Sequence, residues 1–90
     1  MLLTIRQSTR FRRDVKHLKR QGKDLSRLET VIKILVAQEP LAEQHRDHAL
    51  VGNWKDFREC HIQPDWLLIY RTEDEQLQLA RTGNHAELFG

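Results

Sequence analysis

Cys60 is the single cysteine in the chain. No internal disulfide framework can therefore hold the fold, and a reducing cytoplasm suits it. No apolar run approaches the ~20 residues that a membrane-spanning helix needs, so no membrane association is expected. The N-terminal MLLTIRQSTR passes into charge after a short apolar patch, which does not fit a signal peptide. No repeat, linker or low-complexity tract interrupts the ninety residues. That predicts one domain over residues 1–90, with one modest core. Close metal-ligand pairs such as HxxxH or CxxC are missing as well. The nearest histidines are His45 and His48, with no cysteine beside them, so neither metal nor cofactor is expected.

What is present is charge. Charged residues make up 31% and apolar residues 39%, the balance of a soluble globular chain rather than a disordered one. The net charge of +2 hides an asymmetry. Residues 1–46 hold eleven Lys/Arg against five Asp/Glu, a net of +6, and residues 47–90 hold four against eight, a net of −4. The basic half fits steering toward polyanions. It equally fits two helices with solvated basic faces.

The pattern predicts β-α-α-β-β-β. LLTI at 2–5 reads as a short strand. Ser8 can cap a helix running to about Gln21, with Phe11, Val15 and Leu18 as its apolar stripe and Gly22 as its stop. A second helix starts at Asp24 or Ser26, where Ser26 and Glu29 have capping-box spacing. It should end near Glu39, ahead of Pro40. The short connection predicts an antiparallel helical hairpin. Residues 50–54 suit a short strand or an extended entry. In KDFRECHI (55–62), Phe57, Glu59 and His61 share one face while Arg58, Cys60 and Ile62 share the other. Gln63-Pro64-Asp65 is a turn. WLLIYRT (66–72) reads as a central strand with both faces partly covered, and QLQLART (76–82) is the last, ended by Gly83-Asn84.

Histidines dominate the candidate chemistry. Imidazole titrates near neutrality, and two held at one reacting group can serve as base and acid. RNA cleavage suits this pair. A base takes the 2′-hydroxyl proton, the oxygen attacks phosphorus, an acid protonates the departing 5′-oxygen, and a cation steadies the phosphate. His85 follows a strand end and a glycine, and Arg81 lies four residues before it. Strict alternation puts Arg81 on the face of Leu77 and Leu79. Either it reaches past the core edge or the period breaks near Ala80. His61 and Asp65 flank a turn, where a carboxylate can orient an imidazole or simply bond its own backbone. His48 opens a glycine-containing segment. Trp66, beside the turn, is the aromatic placed for base stacking, whereas Tyr70 and Trp54 read as core. His17 and His45 read as surface residues. Cys60 reads as a small buried strand residue: a cysteine nucleophile would need His61 to face it, and strand neighbours point oppositely.

The stretches DHALVGNW (47–54), RECH (58–61), PDWLLIY (64–70) and RTGNHAELF (81–89) together resemble the YafQ-type toxins, a branch of the RelE/ParE superfamily of type II toxin–antitoxin systems. The resemblance spans most of the chain. It implies an α+β, RelE-like fold: an N-terminal strand and helical hairpin packed on a small twisted antiparallel β-sheet. It also implies a ribosome-dependent endoribonuclease that cleaves mRNA on the 70S ribosome and leaves 2′,3′-cyclic phosphate and 5′-hydroxyl ends without a metal. By position, His48, His61, Asp65 and His85 match the family's catalytic set. Trp66 and Phe89 match residues linked to activity, and Arg81 matches a phosphate-contacting arginine. A cognate antitoxin, commonly of ribbon-helix-helix type, is implied as partner, with operator DNA bound only through that complex. The alternative is a ParE-like toxin that inhibits a protein target such as DNA gyrase, for which the histidines would be dispensable. A third reading, an inactive nucleic-acid-binding module, predicts salt-sensitive binding without product.

Overall fold

The hairpin and the sheet meet along an apolar seam that the sequence spaces out in advance. The computed structural model describes residues 1–90. The order is β1 (Thr4–Gln7), α1 (Thr9–Arg20), α2 (Leu25–Val36), β2 (His48–Ala49), β3 (Arg58–Gln63), β4 (Trp66–Glu73), β5 (Gln76–Gly83) and α3 (His85–Phe89). Ser8 caps α1, its hydroxyl accepting the Phe11 N–H at 2.9 Å. The helix closes with a Schellman arrangement in which the Gly22 and Lys23 N–H groups donate to the Lys19 and Leu18 carbonyls. Gly22 takes the left-handed conformation that this ending requires, at φ +77°.

At α2 the start at Asp24, one of the two positions expected, holds, while the capping box and the end are corrected. The cap of α2 is Asp24, whose carboxylate accepts from both the N–H and the hydroxyl of Ser26, so Ser26 is not the cap and no box forms with Glu29. The helix ends at Val36 rather than Glu39. Gln38 has already turned left-handed at φ +58°, and the Val36 carbonyl is taken by the Leu3 N–H. The entry before β3 also differs: the strand is His48–Ala49, and residues 52–54 form a 3₁₀ turn.

The five strands lie in the order β1-β5-β4-β3-β2. β2 to β5 are antiparallel neighbours, as expected, but β1 joins β5 in parallel, pairing Thr4 with Gln76 through Gln7 with Leu79. A strand followed by a helical hairpin rather than a tight turn is free to pair in this sense. Phe11, Leu18, Leu28, Val31 and Leu35 of the helices pack on Cys60, Leu68, Tyr70, Leu77 and Leu79, the main core. The opposite sheet face carries a small cluster of Leu67, Ile69 and Leu88. β5 changes period midway: Tyr70 pairs with Leu79 but Ile69 with Arg81, so Ala80 is a bulge.

Candidate active site

The cleft lies on the sheet face turned away from the hairpin. Glu59 and His61 stand opposite Ile69 and Leu67, the buried residues of that face, while Cys60 and Ile62 point into the main core. The two-residue strand β2 sets His48 opposite Glu59. The result is a carboxylate between two imidazoles. Glu59 Oε1 is 3.7 Å from His48 Nε2 and 3.5 Å from His61 Nε2, and Glu59 is only 6% exposed. The other nitrogen of each ring donates to a backbone carbonyl, His48 Nδ1 to Arg46 at 2.6 Å and His61 Nδ1 to Pro64 at 3.2 Å. Each ring thus faces oxygen at both nitrogens. The carboxylate and the two carbonyls fix how both rings are turned, each presenting its Nε2 edge to Glu59.

α3 brings the third histidine. Asn84 and Glu87 form a capping box across its start, with bonds of 2.8 and 3.0 Å. Asp65, in the turn between β3 and β4, accepts the backbone N–H of His85 at 3.2 Å. One helical turn later Phe89 sits beside His85, ring centroids 5.0 Å apart. His48, Glu59, His85, Phe89, Trp54 and Leu88 line one cleft of about 660 Å3.

His48, His85 and Phe89 therefore converge, and His61 joins them through Glu59. Asp65 holds the backbone that carries His85 and makes no hydrogen bond to an imidazole. Arg81 is engaged elsewhere: its Nε and Nη2 donate to the Asp14 carboxylate at 2.8 and 3.0 Å, which raises the guanidinium's pKa further above its usual value. Trp66 is a correction. It is 1% exposed in the main core, with Nε1 donating to Thr82 Oγ1 at 2.9 Å, so its ring offers no face to a base. β4 starts at Trp66 itself, and the residue's place on the hairpin side of the strand buries it. Tyr70 and Cys60 are core, as expected. Burial, then the charges of Asp47 and Glu59, push the Cys60 thiol up to about 12, so it is no nucleophile. His45 is tied in rather than free, its Nδ1 donating to the His61 carbonyl at 2.6 Å.

Sequence reasoning missed Glu59 and Asp14. Glu59 carried a signal, since alternation put it on His61's face. Asp14 carried none, because its partner Arg81 lies 67 positions away. As placed, no three histidine, cysteine or acidic side chains enclose a position for a metal ion.

Residues 3–90 match the family model described as the bacterial toxin of type II toxin–antitoxin systems, YafQ. The mRNA interferase toxin YafQ of Escherichia coli K12 is 40% identical over 87 residues, covering 96% of this chain and 95% of that protein. Among solved structures, a copper-bound mutant toxin from Helicobacter pylori superposes with a TM-score of 0.94 at 46% identity, covering 98% of this chain and all of that one. The toxin chain of the E. coli DinJ–YafQ toxin–antitoxin complex gives 0.91 at 38% identity, with both chains fully covered.

Proposed function

Because the chain belongs to the YafQ family of type II toxins, we propose that it is an mRNA interferase, acting as one domain and restrained by a cognate antitoxin. The observation that carries this reading is the convergence of His48, Glu59 and His85 in one open cleft, with His61 behind Glu59. Two imidazole groups at one cleft supply a base for the 2′-hydroxyl and an acid for the departing 5′-oxygen. The oxygen attacks phosphorus as its proton leaves, the P–O5′ bond breaks, and the products are a 2′,3′-cyclic phosphate and a 5′-hydroxyl. Arg81 supplies charge to the phosphate. Phe89, 39% exposed, is the aromatic that can stack on a base, in place of Trp66. The substrate is mRNA on the 70S ribosome. The antitoxin is of ribbon-helix-helix type and carries the operator contacts. No helix of the chain is long and apolar enough to cross a membrane, and the site of action is the cytoplasm.

The test is mRNA end-mapping after brief induction in a bacterial host, wild type against His85→Ala. Cyclic-phosphate ends inside translated messages, absent with the variant, are the expected result. Growth arrest with intact mRNA, equal in the variant, would sink the reading and point to a protein target.

A further inference from the structure

α1 reaches the candidate site from behind through one residue that the proposed mechanism does not use. β1 covers the edge of β5 only as far as Leu79. Ser8 then takes over, donating its N–H to the Leu79 carbonyl and its hydroxyl to the Ala80 carbonyl. Beyond that, Asp14 closes the edge: Oδ2 accepts the Thr82 N–H at 3.1 Å, and the same carboxylate takes Arg81 Nε and Nη2. The Ala80 bulge makes this geometry possible. Without it Arg81 would share the hairpin face of Leu77 and Leu79; with it, Arg81 lies opposite Ile69, on the cleft's side of the sheet.

A guanidinium has five N–H donors, and Asp14 takes two. No buried polar side-chain atom lacks a partner anywhere in the chain, so the donors of Nη1, which have no protein acceptor, reach solvent. The side chains of Arg81 and Asp14 are otherwise enclosed, at 18% and 15% exposure. A half-buried carboxylate thus fixes the fork of an arginine whose remaining edge is open, four residues before His85.

The geometry points to Asp14 as a positioning residue for RNA cleavage: it orients Arg81 so that the free Nη1 edge meets the scissile phosphate. This rests on the ribonuclease reading above and adds the residue that presets its phosphate contact. Pre-orientation matters because a guanidinium held in place loses little rotamer freedom on binding, and a ~1 Å misplacement can cost ~10²-fold in rate.

The experiment compares Asp14→Asn, Arg81→Gln and the double variant. Asparagine keeps an acceptor for Thr82 and removes the charge that clamps Arg81. Cleavage of mRNA on programmed ribosomes is read as kcat and KM, with thermal unfolding alongside. The expected result is a kcat ~10²-fold lower for Asp14→Asn, with KM nearly unchanged, and a double variant no worse than Arg81→Gln. A merely structural Asp14 would give losses that track the folded fraction and multiply in the double variant, which would overturn the proposal. A second arm needs no cleavage. Inorganic phosphate is titrated while the Arg81 Nε–H NMR signal is followed, and the affinity should fall at least tenfold in Asp14→Asn. Equal affinity, or no response in the wild type, overturns the proposal. A wild type that leaves mRNA intact but passes this arm refutes the ribonuclease reading, and with it the role in cleavage, and leaves standing only Asp14's orientation of Arg81 toward a phosphate.

Discussion

The two faces of the sheet are closed to different depths. Under the helical hairpin, thirteen buried residues form one cluster; on the other side only Leu67, Ile69 and Leu88 do. The covering elements explain the difference. Two helices of twelve residues each lie over the first face, and a single helix of five residues lies over the second. A five-residue helix cannot seal a face of eight-residue strands, so a cleft remains beside it. Into that cleft the same strand that gives Cys60 and Ile62 to the core delivers Glu59, with His61 on the same face behind it. The alternation of β3 therefore divides labour: one set of side chains holds the fold, and the next set is free for chemistry. Burying Glu59 beside imidazoles is a cost to folding that the deep opposite face offsets.

The comparison predicts that substitutions on the cleft face change rate and leave stability, while those on the hairpin face do the reverse. The largest effect belongs to His48→Ala and His85→Ala. Each removes a proton-transfer group, so cleavage should fall by ~10²–10⁴. Both residues are exposed, so Tm should move by no more than about 4 °C. A histidine variant that unfolds the protein instead would break the division. Leu68→Ala is the mirror experiment. Leu68 is fully buried under the hairpin, and its truncation should cost ~2–5 kcal/mol in denaturant unfolding, while cleavage per folded molecule stays at the wild-type level.

Trp66→Phe sharpens the boundary between the faces with a smaller effect. It deletes the donor to Thr82 Oγ1, which still donates to the Leu67 carbonyl. Stability should fall by ~1 kcal/mol and RNA affinity should not change. Weaker RNA binding at full stability would restore Trp66 as a stacking residue and put the cleft's boundary in the wrong place.

Much of this was legible in the chain because it is written in local patterns. The Ser8 cap, the Gly22 stop and the alternation of β3 each depend on neighbours within a few positions, and the break in β5's period near Ala80 is one of the two alternatives that local alternation leaves for Arg81. The convergence of His48, His61, His85 and Phe89 was expected from a resemblance, not from spacing, since β2, β3 and α3 are joined only by the sheet. What stayed hidden was long-range or depended on which way a strand end faces. Asp14 meets Arg81 across most of the chain, and β1's parallel partner follows from the path of the hairpin. Trp66 was misplaced because a turn-adjacent aromatic looks exposed, yet the strand begins one residue after Asp65 and turns that ring inward. Glu59 lies on the face that alternation assigns to it with His61, but its place between two imidazoles comes from the pairing of β2 with β3.

The smallest effect concerns Cys60, which tests how tightly the hairpin face is shut. Its thiol is fully buried, and burial holds its ionisation well above the ordinary 9.0, at about 12. Tyr70, its neighbour in that core, is pushed upward too, by burial and then by its bond to Asp47. Both groups ionise more readily in the unfolded chain. The folded state therefore keeps the full benefit below about pH 9 and loses it progressively as pH rises toward 12. At pH 8 a thiol reagent should label the native protein only as fast as it unfolds, and the denatured protein at once. Above pH 9 the unfolding midpoint in urea should slide downward. Cys60→Ala should flatten part of that slope while leaving cleavage untouched, because His61, the next residue, faces the other way. Rapid labelling of native protein would mean that the hairpin lifts from the sheet, and the two faces would then differ less in closure than their buried clusters imply.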